Sequence, residues 1–247
     1  MRSSAVKKQR MPDTIIQWPE LESGTLIRRY KRFLADIELP SGGTITVHCP
    51  NSGRMLECSQ PGCRVLMSRS SNPARKLIHT WEIIEMPSSP VVVNTLRANE
   101  AASSAVRKGL IPELAGYSEV RKEVPWGKKS RLDLLLSGEG VQKCFVEVKS
   151  CTYVQDGTAM FPDAVSSRGL KHLVDLQEVL AQGCRSVLLI LIQRMDAHQF
   201  RPADHIDPRW GSELRKAYAG GIEVLIYSTS ITASGMAMGC RVPLSLA

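Results

Sequence analysis

Two apolar runs near the C-terminal end of the chain constrain its fold more than any other sequence feature. The first run covers residues 186–192, the second covers residues 222–227, and a helical pattern over Pro208–Ala219 lies between them. A strand that is apolar along its length is usually buried on both faces, and a helix between two such strands implies a parallel crossover. The C-terminal part of the chain is therefore predicted to be an α/β domain with a partly parallel sheet.

An antiparallel meander of three strands is predicted ahead of these runs. The candidate strands cover residues 118–124, 130–136 and 143–151, and turn residues separate them. A helix over residues 97–108 precedes the meander, and a helix over residues 167–182, with a broad apolar face and Gly183 at its end, follows it. The predicted order is thus helix, three strands, helix, strand, helix, strand.

The N-terminal part of the chain carries several short strand signals and no convincing helix. Candidate strands cover residues 25–39, 44–48, 64–69 and 80–85, with a short one at 91–93. Turn signals rich in Pro, Gly, Ser and Asn separate them. This pattern predicts a small OB-like β-barrel over residues 14–93, preceded by a basic disordered arm over 1–13 and followed by the α/β domain over 94–247.

The charge balance favours a polyanionic partner, with a solvated basic surface as the alternative interpretation. The net charge is +8, and residues 1–96 carry 13 Lys and Arg against 8 Asp and Glu. The seven cysteines include no CxxC pair, which gives a structural zinc site little support and fits reduced thiols. No signal peptide and no membrane span of roughly 18 apolar residues is present, so we expect a cytoplasmic protein.

Basic residues occupy both faces of the first predicted strand, with aromatic residues between them. Such a strand can contact phosphates and stack on bases, or it can be a solvated edge strand that charge protects from aggregation. The sequence leaves these two interpretations open. The candidate nucleic-acid-binding residues of this strand are Arg28, Arg29, Tyr30, Lys31 and Arg32.

Acidic residues interrupt the second and third strands of the meander. Asp133 lies inside an otherwise apolar strand, and Glu147 and Lys149 lie two residues apart in the next one, so that they share a face. If the two strands pair, Asp133 faces Glu147 across the ladder. Two carboxylates and a backbone carbonyl suffice for Mg²⁺, which keeps several waters, and Mn²⁺ is the alternative ion. The pattern predicts a catalytic set of Asp133, Glu147 and Lys149, with both acids as metal ligands.

A structural ion pair is the competing interpretation of these three residues. Either acid could simply pair with Lys149, and for a lone acid in a strand that would be the better interpretation. The joint pattern is more specific, because an acid in one strand precedes Glu-Val-Lys in the next by fourteen residues. A helix stands before this pattern, and a strand, helix and strand stand after it. This is the element order of PD-(D/E)XK, restriction-endonuclease-like nucleases.

Seven stretches resemble the sugar fermentation stimulation protein A (SfsA) family over roughly residues 20–245. They are GTLIRRYKRFLAD at 24–36, HCPNSG at 48–53, SRLD at 130–133, EVKS at 147–150, FPDAV at 161–165, RGLKHL at 168–173 and RPADHID at 201–207. The resemblance implies a DNA-binding protein with an N-terminal OB-like domain and a C-terminal nuclease-like domain. It also implies a regulatory role in sugar (maltose) metabolism.

Four further residues enter the predicted site through this resemblance. Arg54 stands where the family usually has Ser and adds positive charge for anion binding. Arg168 and His172 lie four residues apart on one helical face and are candidates for phosphate contact. Nucleases of this fold often supply another metal-site carboxylate from the first helix. Glu100, at a shifted position in that helix, is the further candidate ligand.

Three functions are consistent with these features. The first is a DNA-binding protein without sequence preference and with a regulatory role, for which RNA is an alternative ligand. The second is an active Mg²⁺-dependent nuclease that hydrolyses DNA or RNA. The third is an enzyme that acts on a phosphorylated small molecule, against which the separate basic barrel argues. The sequence makes no prediction about the oligomeric state.

Overall fold

The computed structural model describes residues 14–127 and 130–247, so the expected arm over residues 1–13 lies outside the described residues. In chain order the elements are β1 (Thr14–Gln17), β2 (Leu21–Tyr30), β3 (Leu34–Glu38), β4 (Thr44–His48), β5 (Arg64–Arg69), β6 (His79–Glu85), β7 (Pro90–Val92), α1 (Leu96–Arg107), a 3₁₀ turn (Pro112–Leu114), β8 (Glu119–Trp126), β9 (Ser130–Ser137), β10 (Cys144–Cys151), β11 (Tyr153–Gln155), β12 (Thr158–Phe161), α2 (Ser167–Ala181), β13 (Arg185–Ile192), β14 (Gln199–Pro202), α3 (Pro208–Ala219), β15 (Glu223–Ile231) and β16 (Gly235–Arg241).

The N-terminal strands close into a barrel. Their order is β4-β3-β2-β5-β6, and β4 returns to pair with β6 at His48 and Thr80, while β7 extends β6 on its outer side. Inward side chains such as Leu26, Val47 and Trp81 form a core from which water is excluded. Burial of these apolar side chains holds the small barrel together. The prediction of an OB-like barrel is confirmed.

A hairpin replaces the single strand that was predicted over residues 25–39. β2 ends at Tyr30, which pairs with Leu34 of β3, and residues 31–33 form the turn between them. Lys31 and Arg32 adopt positive φ angles of 48° and 62°, a conformation that Gly or Asn takes more easily. Because neither Gly nor Asn marks the turn, it could not be recognised from the residues, and the prediction of one long strand was wrong.

The second domain contains a seven-stranded sheet in the order β1-β16-β15-β13-β10-β9-β8. The pairs β10–β13 and β13–β15 are parallel, and β8, β9 and β10 form the antiparallel meander. The α/β prediction is therefore confirmed, including helix α3, whose bounds match the predicted ones. A small sheet of β11, β12 and β14, which the sequence did not indicate, lies beside it.

Strand β13 divides its side chains between two cores. Leu189 and Leu191 pack on the face that α1 covers, together with residues such as Ala101, while Leu188 and Ile190 pack on the face of α2 and α3. All four are fully buried. The continuous apolar run is thus explained by helices on both faces of a partly parallel sheet.

The short strand β1 belongs to the large sheet and not to the barrel. It pairs with β16, with Ile16 opposite Met236 and Gln17 opposite Gly235. The expected barrel boundary at residue 14 therefore differs from the observed strand pairing. Ile15 and Ile16 are buried in the same core as α1, which explains why this segment docks on the α/β domain.

A buried ion pair joins the barrel to α1. Glu82 of β6 is 1% exposed, and its two oxygens accept hydrogen bonds from Arg97 at 2.9 and 3.0 Å. Ser68 and Asn94 donate to the same carboxylate at 2.7 and 2.9 Å. Since a buried carboxylate needs compensating donors, this set of contacts fixes α1 relative to the barrel.

The cysteines and the lengths of the helices are the remaining features of the fold. All seven cysteines are free thiols, and Cys49, Cys58, Cys144 and Cys151 are buried. Burial raises the pKa of the Cys58, Cys144 and Cys151 thiols to about 12. Within residues 14–127 and 130–247, none of the helices is both long enough and apolar enough to cross a membrane.

Replacing Arg97 by Met should destabilise the protein by about 3–5 kcal/mol, because Glu82 would keep a buried charge without its cation. Urea unfolding measures this loss. Glu100→Gln is the matched control, since it removes only an exposed ion pair to the same arginine and should cost about 0.5 kcal/mol or less. Equal losses in the two variants would contradict the importance of the buried contact.

Candidate metal and nucleic-acid site

A cleft of about 540 Å³ lies between the barrel and the α/β domain. The barrel contributes Arg32 and the loop over residues 51–53. The α/β domain contributes the start of α1, the middle of β10, and the segment that leads into α2. Side chains from both domains therefore face one solvent-filled space.

The three predicted catalytic residues come together at the floor of this cleft. The β9–β10 ladder places Asp133 beside β10, where its Oδ2 accepts a hydrogen bond of 2.7 Å from the Val148 amide. Lys149 Nζ donates to Glu147 Oε1 at 2.6 Å. The two-residue period of β10 thus brings Glu147 and Lys149 to one face, as the sequence pattern predicts.

His172 of α2 contacts the carboxylate of Glu147. It is buried, its Nδ1 contacts Glu147 Oε1, and the same nitrogen lies 3.0 Å from Lys149 Nζ. Arg168, one turn earlier, donates to His172 Nε2 at 3.4 Å. Contact between His172 and phosphate stays a prediction, and in the structure the imidazole contacts Glu147, Lys149 and Arg168.

Helix α1 presents Asn99, and not Glu100, to the site. Asn99 Nδ2 donates to Asp133 Oδ1 at 2.6 Å, and Asn99 lines the cleft. Glu100 instead pairs with Arg97 at 2.7 Å on the outer side of the helix. The expectation that Glu100 supplies a metal ligand was wrong, because successive helical residues point about 100° apart. The side chain that α1 directs toward Asp133 is therefore the carboxamide of Asn99 and not a third carboxylate.

Only one of the two carboxylates has a cationic partner. Within the described residues, Asp133 has neutral hydrogen-bond donors and no ion pair, while Glu147 pairs with Lys149. Burial and the nearby charge of Glu147 raise the pKa of Asp133 from 3.8 to about 7. Burial also opposes ionisation of Glu147, but Lys149 and His172 hold the pKa of that carboxyl below its usual value.

The donor set fits a hard divalent cation with open coordination positions. Glu147 Oε2 is buried and has no hydrogen-bond partner among the described residues, and Asp133 has hydrogen-bond donors but no ion pair among them. Among residues 14–127 and 130–247, no three or more Asp, Glu, His and Cys side chains are arranged as a metal site, so the protein ligands here would be the two carboxylates alone. Two carboxylates match Mg²⁺, which takes few protein ligands and keeps several waters.

Arg29 clamps the barrel loop that lines the cleft. Its Nη2 donates to the carbonyl oxygens of Asn51 at 2.8 Å and Gly53 at 2.9 Å, and its Nη1 lies 3.4 Å from the carbonyl oxygen of Arg54. The guanidinium is thus engaged with the protein backbone. The Arg54 side chain, in contrast, is exposed to solvent.

The other basic residues of the β2–β3 hairpin divide into two groups. Arg28 pairs with Asp36 at 2.9 Å and lies 5.0 Å above the Tyr30 ring, whose hydroxyl donates to the same carboxylate. Lys31 and Arg32 are exposed at the tip of the hairpin. Of these residues, Arg32 lines the cleft, as Arg168 does from the opposite domain.

Asp163 connects the two walls of the cleft. It lies in the segment before α2, and its Oδ2 accepts a hydrogen bond of 2.8 Å from the Met55 amide of the barrel. A Cβ at Gly53 would lie 2.5 Å from both Asp163 carboxylate oxygens, so only glycine permits this approach. The contact helps to fix the width of the cleft.

The fold and the site together define a class of protein in which an OB barrel is joined to a restriction-endonuclease-like α/β domain. Residues 27–93 match the family model described as SfsA N-terminal OB domain. Residues 96–235 match the model described as sugar fermentation stimulation protein RE domain. The two matches cover most of the chain, which therefore belongs to the sugar fermentation stimulation protein (SfsA) family.

Relatives and a solved structure agree with this assignment. A sugar fermentation stimulation protein homolog from Acidithiobacillus ferrooxidans is 50% identical over 227 residues, which is 92% of this chain and 98% of that protein. A homolog from Citrifermentans bemidjiense is 48% identical and covers 92% and 97%. The structure of Pyrococcus furiosus SfsA in complex with Ca²⁺ is 24% identical, with a TM-score of 0.86 over 94% of this chain and 99% of that chain. The predicted fold class is thereby confirmed.

The raised pKa of Asp133 should make the metal-free protein less stable as the pH increases from about 4 to about 7. The folded state binds the proton more tightly than the unfolded state, so this contribution is full below pH 4 and is lost as the pH passes the folded pKa. We expect a loss of roughly 2–4 kcal/mol that Asp133→Asn removes. Urea unfolding at several pH values in EDTA measures it.

Asp156→Asn serves as the control, because Asp156 is exposed in the turn between β11 and β12. This variant should keep the pH dependence of the parent. The same pH dependence in Asp133→Asn as in the parent would contradict the assignment.

Proposed function

We propose that this protein binds nucleic acid in the cleft between its two domains, without sequence preference. The observation that carries the proposal is the position of the cleft, whose rim holds Arg32 and Arg168 and whose floor holds Lys149. Arg32 and Arg168 come from different domains and can contact the phosphates of a polyanionic strand, and a cation held by Asp133 and Glu147 would offset the acidic residues that line the same groove. The net charge of +8 supports the same conclusion.

A divalent cation is part of this proposal. Asp133 and Glu147 would hold Mg²⁺ or Mn²⁺, and the unpartnered Glu147 Oε2 is an available ligand atom. The related Pyrococcus furiosus protein was solved in complex with Ca²⁺, which also takes oxygen ligands. When bound, such an ion stabilises negative charge on a phosphate group.

Hydrolysis of a phosphodiester is the second candidate function, and the contact between Lys149 and Glu147 favours it. The ammonium group at the floor of the cleft can orient an attacking water and balance phosphate charge. His172 fixes the orientation of Glu147, and Asn99 fixes that of Asp133, so that both carboxylates are held before a substrate arrives. Arg168 and Arg32 would bind flanking phosphates.

A regulatory role in sugar (maltose) metabolism stays a prediction of the family resemblance. Relatives carry the name sugar fermentation stimulation protein homolog, and DNA binding is one physical route to such a role. A phosphorylated small molecule is a weaker alternative ligand. The cleft has a wall contributed by a separate basic barrel, which a small substrate would not require.

Arg32→Ala combined with Arg168→Ala should weaken binding to unrelated sequences alike, because phosphate contacts carry no sequence information. Each lost contact lowers the magnitude of the log–log salt slope by about 0.9 on duplex DNA. Fluorescence anisotropy across a salt series measures affinity and slope together. Arg209→Ala, on an exposed residue outside the cleft, is the control. An unchanged slope in the double variant would exclude the cleft as the binding surface.

Mg²⁺ should raise the melting temperature of the parent by mass action, and Asp133→Asn and Glu147→Gln should abolish this response. Asp133→Asn also relieves like-charge repulsion, so this metal-free variant should be at least as stable as the parent. Glu147→Gln removes the carboxylate that Lys149 and His172 contact, so this metal-free variant should be less stable than the parent. Lys149→Ala should retain the Mg²⁺ response, because it removes a positive charge beside the ion.

Labelled single- and double-stranded DNA and RNA, incubated with Mg²⁺, Mn²⁺ or EDTA, separate binding from cleavage in one assay. Cleavage in Mg²⁺ that Lys149→Ala abolishes would establish hydrolysis, and binding without cleavage would leave the first proposal alone. A parent that does not respond to Mg²⁺, with a loss of roughly 3–5 kcal/mol in metal-free Lys149→Ala, would favour a structural ion pair.

A further inference from the structure

Two large apolar side chains stand exposed in the cleft. Leu96 is 69% exposed and Val165 is 76% exposed, which makes them the most exposed large hydrophobic residues in the described part of the chain. Both line the cleft. Single exposed apolar residues are common on protein surfaces, but these two extreme cases flank the same groove.

Local helix structure does not explain Val165. It precedes Ser166, the N-cap of α2, whose side chain accepts a hydrogen bond from the Gly169 amide. An apolar residue in this position often packs against the fourth helical residue, here Leu170, as a hydrophobic staple. The 76% exposure of Val165 shows that it makes little use of such packing. Its side chain is instead available to a ligand.

The side chains at the floor of the cleft are almost fully buried. The side chains of Glu147, His172 and Lys149 are 2%, 8% and 12% exposed. The volume of about 540 Å³ matches sites for ligands of nucleotide size. A base-paired helix has a stiff backbone that suits contact at the rim of the cleft, whereas the flexible backbone of an unpaired strand can bend inward toward the floor.

We infer that the cleft selects unpaired nucleic acid, in which one phosphate approaches the floor and the adjoining base contacts Leu96 and Val165. The inference rests on the proposed nucleic-acid binding and names its substrate class. Apolar contact with the face of a base is tolerant of sequence, because every base has such a face. Arg32 and Arg168 at the rim supply the charge that the flanking phosphates require.

A labelled single-stranded oligonucleotide of about 12 nucleotides and the duplex of the same sequence test the inference by anisotropy in EDTA. The parent should bind the single strand more tightly than the duplex. Leu96→Ser combined with Val165→Ser should weaken single-strand binding about tenfold and leave duplex binding unchanged. Val141→Ser, on a 42% exposed valine outside the cleft, should behave as the parent.

A variant that is expected to tighten binding is also tested, because a loss of folding cannot produce that result. Val165→Trp should tighten single-strand binding about tenfold, because an indole offers a larger stacking surface. Equal affinity of the parent for both forms, or unchanged binding in both cleft variants, would overturn the inference while the proposed function stands. Failure of the parent to bind any nucleic acid would overturn both.

Discussion

Glu82 is a carboxylate with almost no access to water. The arrangement of the two domains depends on the hydrogen bonds and the ion pair that compensate its charge. The barrel supplies the acid and Ser68, the segment before α1 supplies Asn94, and the first turn of α1 supplies Arg97. An unmatched carboxylate at this depth would be costly, so the contact tolerates little displacement. Because α1 is held here, Asn99 two residues further on reaches Asp133 at the floor of the cleft. The position of Asn99 in the site thus depends on the contact between Arg97 and Glu82 at the domain junction.

Elements with a clear apolar pattern or with strong turn signals at their ends could be predicted from the sequence, and elements in irregular segments could not. Helix α3 and strand β13 carry apolar patterns that packing against a large sheet imposes over many residues. The turn between β2 and β3 has no such pattern, since Lys31 and Arg32 adopt left-handed conformations there without a Gly or Asn to mark the turn. The strands of the small sheet are too short to show a period, and the signal that could have revealed the β11–β12 hairpin is the Asp-Gly pair at 156–157, which forms its turn.

The candidate site divides in the same way. Asp133, Glu147 and Lys149 could be placed together because alternation along a strand has only two phases, and apolar neighbours decide between them. A helix offers more phases, so the choice between Asn99 and Glu100 required the observed packing of α1. Roles were harder to predict than positions. Arg29 carries the charge of a phosphate-binding residue, yet its guanidinium holds the loop at Asn51 and Gly53.

Strand β1 comes before the barrel in the chain but completes the far edge of the α/β sheet. Topologically, the barrel is therefore an insertion into the larger domain. Its entry is secured beside Trp18, whose indole donates to the Thr232 carbonyl at 2.9 Å, and its exit is secured at Arg97. A module attached through a single linker can swing about that point, whereas a module tethered at both ends cannot turn without breaking one tether. The groove between the domains is consequently a preformed part of the fold, and separating the barrel intact would require two cuts in the chain.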